Sequence, residues 1–173
     1  MSRTRKSLIL HPLQGYALPV GHALACLQDG RKRTLQSVAE LSMNDLDANV
    51  EGSPNSIGSL LYHIAGIELD WLFGEILEQS FPAEFQPLFP LDARDKDGRL
   101  SVVAGIELQA HLQRLAFVRE VLLEKLKFLD AEDFYRPRSL SRYDVNPAWV
   151  LNHLLQHETE HRNQITQIRQ SLQ

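Results

Sequence analysis

Histidines at 153, 157 and 161 recur every four residues in the stretch WVLNHLLQHETEHRNQITQIRQSL, residues 149–172. Residues four apart stack on one face of a helix, and that spacing lets two imidazoles share one metal ion. The ligand type sets the chemistry. Neutral imidazoles leave a divalent ion its full charge, so it lowers the pKa of a bound water toward about 7 or takes a thiolate directly.

A helical wheel separates the three. At about 100° per residue, with His157 at zero, Val150 and Ile168 fall at about +20°, Leu154 at about +60° and Ile165 at about +80°. His161, at about +40°, lies inside this apolar stripe, His157 lies on its edge, and His153, at about −40°, lies outside it. Two inward imidazoles lose hydration unless something pairs with them. A metal ion meets that need, and so do hydrogen bonds to backbone or buried carboxylates; the four-residue pair favours the metal.

The third ligand has to come from another helix. His63, beside the stripe Leu60, Ile67 and Trp71, is the natural candidate. It gives a three-histidine site with positions open for water or substrate. Recruiting His153 as a fourth ligand would close the site. Glu160, at about −60°, and Gln164, at about −20°, are placed to orient a ligand or bind substrate. His11, His22 and His111 have weaker claims.

Residues 157–161, HETEH, also match the H-E-x-x-H pattern of zinc peptidases, in which Glu158 would be the general base. Such peptidases usually take a third ligand from further along the chain. Only RNQITQIRQSLQ follows His161, without His, Asp or Glu. Glu158 also falls at about +100°, at the margin of the apolar face. The peptidase reading is set aside.

Four amphipathic segments must position these groups. The first runs from about Val20 to Leu41, weakened at Gly30. Residues 42–54 are polar and turn-rich and predict a loop. The second helix starts at Asn55 or Ser56 and continues to about Gln79. Pro82, Pro87 and Pro90 forbid regular helix, so residues 80–100 form a long connection. Ser101 is the expected cap of the third helix, which runs to about Leu129, and residues 130–146 form a second connection. Asn146 as cap and Pro147 at the first helical position open the fourth helix. No segment alternates like a strand. The expected fold is an all-α four-helix bundle, a single domain over 1–173 with residues 1–18 as a tail across it.

Composition narrows the partners. Apolar residues make up 43% of the 173, net charge is −4, and the pI is near 6.0. The basic clusters Arg3–Lys6 and Arg31–Arg33 are too short for a nucleic-acid footprint. No apolar run approaches the roughly 18 residues of a membrane span. Leu8–Leu10 falls short of the about 7–15 apolar residues of a secretory signal. A single cysteine, Cys26, fits a reducing cytoplasm, and it reads as a small core residue rather than a nucleophile.

The texts SIGSLLYHIAGIELDWL, with His63, Glu68 and Trp71, and WVLNHLLQHETEHRNQI resemble the DinB-like metalloenzymes. That superfamily of four-helix bundles includes bacterial thiol-dependent transferases and the mycothiol-dependent maleylpyruvate isomerase. The resemblance spans essentially the whole chain and rests on the one-plus-two histidine layout. It implies His63, His157 and His161 as ligands of zinc or nickel, and a homodimer. Where the family often has His-Arg-Gly-Gln, this chain has His161-Arg162-Asn163-Gln164.

The expected function is that of a metal-dependent enzyme acting on a small molecule. Transfer involving a low-molecular-weight thiol comes first, and metal-assisted hydrolysis second. Two readings stand against it: a non-catalytic metal-binding stress-response protein, and a helical protein with no metal and three satisfied histidines.

Overall fold

The structure, a computed structural model, describes residues 7–173. The cluster Arg3–Lys6 and the start of the tail lie outside them. Among the described residues the chain is mostly helical, with one two-stranded sheet.

Helix α1 spans Leu18–Ser37, four residues short of the expected end. Its last turn gives way at Glu40, which takes a positive φ of 68°, and Arg169 donates to the freed Ser37 carbonyl (2.8 Å). Gly30 does not weaken this helix; it is a packing point. A Cβ there would lie 2.8 Å from Leu155 Cδ1 of the helix packed against it. The preceding segment is tied down by Leu13 N–H, which donates to Gly21 O (3.0 Å), and by Tyr16, which donates to Leu123 O.

Residues 42–54 are not all loop. Ser42 and Asp45 form a reciprocal capping box that starts the short helix α2, Met43–Asp47. Helix α3, Ile57–Trp71, is capped by Ser56, one of the two residues expected there. It then passes into a π-helical turn, Leu72–Ile76, so the helical segment ends near Leu77 rather than Gln79.

Ser101 does not cap the next helix, as the sequence led us to expect. Val103 N–H donates to Ser59 Oγ (3.0 Å) and Gly105 N–H to Asp47 Oδ2 (2.8 Å). These bonds hold the segment extended, with Gly105 at φ 72°, and helix α4 begins only at Leu108 and runs to Leu126. The following connection contains two elements the sequence did not announce. Asp130 caps helix α5, Ala131–Tyr135, and strands β1, Arg138–Ser139, and β2, Asp144–Val145, pair antiparallel. Helix α6, Pro147–Ser171, opens with Asn146 accepting from Trp149 N–H (2.9 Å), as its start signal implied.

Helix α1 packs along α6, and α3 along both α4 and α6. Leu24, Leu60, Leu61, Leu69, Leu115 and Val150 are among the fully buried side chains between them. At their centre sits a cluster of four buried charges, one from each long helix: Arg31, Glu68, Arg119 and Glu158. Arg31 donates to Glu158 Oε1 (2.8 Å), Glu68 Oε2 (2.6 Å) and Leu115 O (2.7 Å). Arg119 donates to Glu68 Oε1 (2.7 Å) and, more loosely, to Glu158 Oε2 (3.4 Å). Burial alone would raise the Glu68 carboxyl, but the Arg119 and Arg31 guanidiniums outweigh it and hold it below the usual carboxylate range. The cluster pins α3 against α6, the two helices that carry the histidines.

Candidate metal centre

His63 projects from the middle of α3 and is almost fully buried; His157 and His161 project from α6 and are half-buried. Their Nε2 atoms converge. His157 Nε2 lies 3.2 Å from His63 Nε2 and 3.0 Å from His161 Nε2, and the three ligand atoms all fall within 4.8 Å of one another. Ligands about 2.0–2.1 Å from a tetrahedral zinc stand about 3.3 Å apart, so the spacing suits a single ion.

The remaining ring nitrogens fix which lone pairs face inward. His63 Nδ1 lies 3.3 Å from the Ala93 carbonyl, which only accepts, so Nδ1 carries the proton and Nε2 is bare. His161 Nδ1 lies 2.8 Å from Gln164 Oε1 and is oriented the same way. Bare nitrogens facing each other at this range need a proton or a cation between them.

Burial pushes His63 down to about 4, helped by the charges of His161 and Arg94. It pushes His157 down to about 3, again burial first and the neighbouring imidazoles next, and it lowers His161. The imidazoles are therefore neutral at pH 7 and ready to ligate. Metal uptake at that pH should release fewer than about 0.5 protons per ion, measured by titration calorimetry in buffers of different ionisation enthalpy. The sign for stability follows from the same depression. Unfolded histidines take up protons near 6.5, folded His63 only near 4 and folded His157 only near 3. In the metal-free protein the stability linked to these two histidines is thus fully present above pH 6.5 and is lost as pH falls toward 4.

His153 does not join the cluster. Its ring stacks on Trp149 (centroids 5.0 Å apart, 12° between planes) and lies 4.4 Å from Trp71, which is the packing role its wheel position implied. His111 is buried elsewhere against Arg114, and His22 lies 4.0 Å from the half-buried Cys26. Glu160 is exposed, while its charge reaches His161 and His153. Glu158 is the opposite case. The wheel put it at the margin, but it is only 2% exposed and both its oxygens face the Arg31 and Arg119 guanidiniums. It has no free base to offer, which removes the peptidase reading on geometry as well.

A family model for the DinB superfamily matches residues 27–165. The chain belongs to the DinB superfamily. The match takes in all three clustered histidines and all four members of the ion cluster. Comparison with curated proteins gives no match. No helix among the described residues is long and apolar enough to cross a membrane. One group of this DinB-superfamily site escaped sequence reasoning. Arg94 follows Ala93 on the connection tied to α3 through His63 and through Tyr62, whose hydroxyl donates to Leu91 O (2.6 Å). Its guanidinium is exposed, spends one donor on Gly98 O (2.8 Å), and helps depress all three clustered histidines. No periodicity marks it, because only the folded path of the connection brings it there.

Proposed function

We propose that His63, His157 and His161 hold one divalent ion, zinc or nickel, and that the protein is a metal-dependent enzyme. Its reaction is transfer involving a low-molecular-weight thiol, with metal-assisted hydrolysis second. The observation that carries this reading is the convergence of three Nε2 atoms from two helices, with half-buried rings on the solvent side. A bound ion would act there as a Lewis acid that favours an anionic oxygen or sulfur ligand.

The chain's own residues do the rest. Ala93 O and Gln164 Oε1 orient His63 and His161. Arg94 adds a positive charge at the same mouth and favours an anionic substrate. His153 is turned to the tryptophans, so a coordination position stays open, which favours an enzyme over a closed, non-catalytic metal store. We read α1, α3, α4 and α6 as a four-helix bundle within one domain. The proposed setting is a homodimer in the cytoplasm.

The test is thermal stabilisation of zinc- or nickel-loaded protein by a panel of low-molecular-weight thiols. At least one thiol should raise the melting temperature by several degrees with metal and not without it. Arg94→Ala should reduce that gain. No shift from any thiol would move the reading to hydrolysis or to metal binding alone.

A further inference from the structure

A cleft of about 510 Å³ opens between the end of α3, the β1–β2 hairpin and the start of α6. Trp71, Trp149, Pro137, Tyr143 and Val145 give it an apolar lining, and Asp144 and Asn146 stand among them. The two indoles are stacked, 5.5 Å between centroids and 28° from parallel, yet Trp149 remains 51% exposed.

Negative charge gathers on the Tyr143 side. Tyr143 donates to Glu75 Oε1 (3.0 Å). Among the described residues, Glu75 Oε2 is the buried side-chain polar atom left without any hydrogen-bond partner. A desolvated carboxylate oxygen with no donor costs stability, and among the described residues no arginine or lysine forms an ion pair with Glu75. Burial, and then the charge of Asp70, push the Glu75 carboxyl up, so the locality is short of a cation. Arg142 reaches Tyr143 with its charge but does not pair with Glu75. Glu75 itself rides on the π-helical turn that directly follows Trp71, a distortion that concentrates at functional sites.

We propose that this cleft binds a small organic ammonium ion with an aromatic body. The body lies against the Trp71–Trp149 pair, and the ammonium group lies at the Tyr143–Asp144 edge, with the Glu75 carboxyl behind the Tyr143 hydroxyl. Indole faces attract cations and aromatic rings, an apolar cleft with few polar groups suits a small ligand, and the Asp144 carboxylate at the rim, with Glu75 behind Tyr143, favours a cation there. Asp70, Glu75 and Asp144 disfavour an anion. The site is distinct from the histidine cluster, since the His153 ring stands between them, 5.9 Å from that of His157. The proposal does not depend on a metal.

Titration of metal-free protein with 2-phenylethylamine, 2-phenylethanol and 3-phenylpropionate, followed by tryptophan fluorescence, tests it. The amine should bind at least tenfold more tightly than the alcohol, and the acid not measurably. Glu75→Gln keeps the shape and should reduce the amine's advantage over the alcohol. Asp144→Asn, at the exposed rim, should reduce it in the same direction should Glu75→Gln fail to fold. Trp149→Ala should weaken amine and alcohol together. Equal binding of amine and alcohol to the wild type overturns the proposal, as does an advantage unchanged in both carboxyl variants. A dimer in sedimentation that Trp149→Ala dissociates, with no amine bound, assigns the cleft to a second copy and overturns it as well.

Discussion

His157→Ala should strip the protein of its metal. Wild type purified without chelator should carry about one ion per chain by elemental analysis, and the variant less than about 0.1. The expectation rests on position. His157 Nε2 is the nitrogen within 3.0–3.2 Å of both others, so its loss leaves one imidazole on α3 and one on α6 with no shared neighbour. Loss of one ligand in three should cost at least about 4 kcal/mol, a thousandfold in affinity. Added zinc should then raise the melting temperature of wild type and not of the variant. Without metal the order should reverse at pH 5. The variant lacks the imidazole whose pKa burial pushes down to about 3, and should melt higher than metal-free wild type. Wild type without stoichiometric metal would refute the proposed centre.

Glu68→Gln should be the most damaging single change in the core. Glu68 accepts from Arg31 and twice from Arg119, at 2.6–3.0 Å. The amide leaves two buried guanidiniums to share Glu158. Breaking a buried pair in this way costs about 3–5 kcal/mol. For a chain of this size that corresponds to a fall of about 6–20 °C in melting temperature. Replacing all four charges by apolar residues of similar volume should restore most of it. The exposed pair Arg33–Asp29 supplies the contrast: Arg33→Ala should leave the melting temperature unchanged. A Glu68→Gln protein that melts with wild type would mean that the cluster is wetter than its burial implies.

What could be read beforehand was local. Asn146-Pro147 announced the start of α6, Ser56 that of α3, and the four-residue spacing of His157 and His161 announced a pair facing one way. His63 followed from asking which other helix offered an imidazole. The readings that failed were those decided by distant partners. Ser101 looked like a cap until Ser59 and Asp47 claimed the backbone after it. The capping box at Ser42–Asp45 is legible as a local pattern, but it lies within a polar, turn-rich stretch that otherwise predicts a loop. Glu158 was misplaced because the wheel took the apolar stripe for the buried face. Its burial is made possible by Arg31 and Arg119, 127 and 39 residues away, and no local pattern encodes that pairing. Glu75 shows the same limit, since its orphaned oxygen exists only once the π-helical turn and the hairpin are in place.

One turn of α6 faces two ways. His157 reaches toward the histidine cluster, while the next residue, Glu158, is anchored among the guanidiniums. Any slide or rotation of α6 large enough to part the imidazoles must first pull Glu158 from Arg31. Fraying from the C-terminal end of α6 reaches His161 first, but cannot reach His157 without crossing that anchor. The amide hydrogens around residues 157–158 therefore belong with the slowest exchanging of the chain, and an ion held there would leave on the timescale of cooperative unfolding rather than of local breathing.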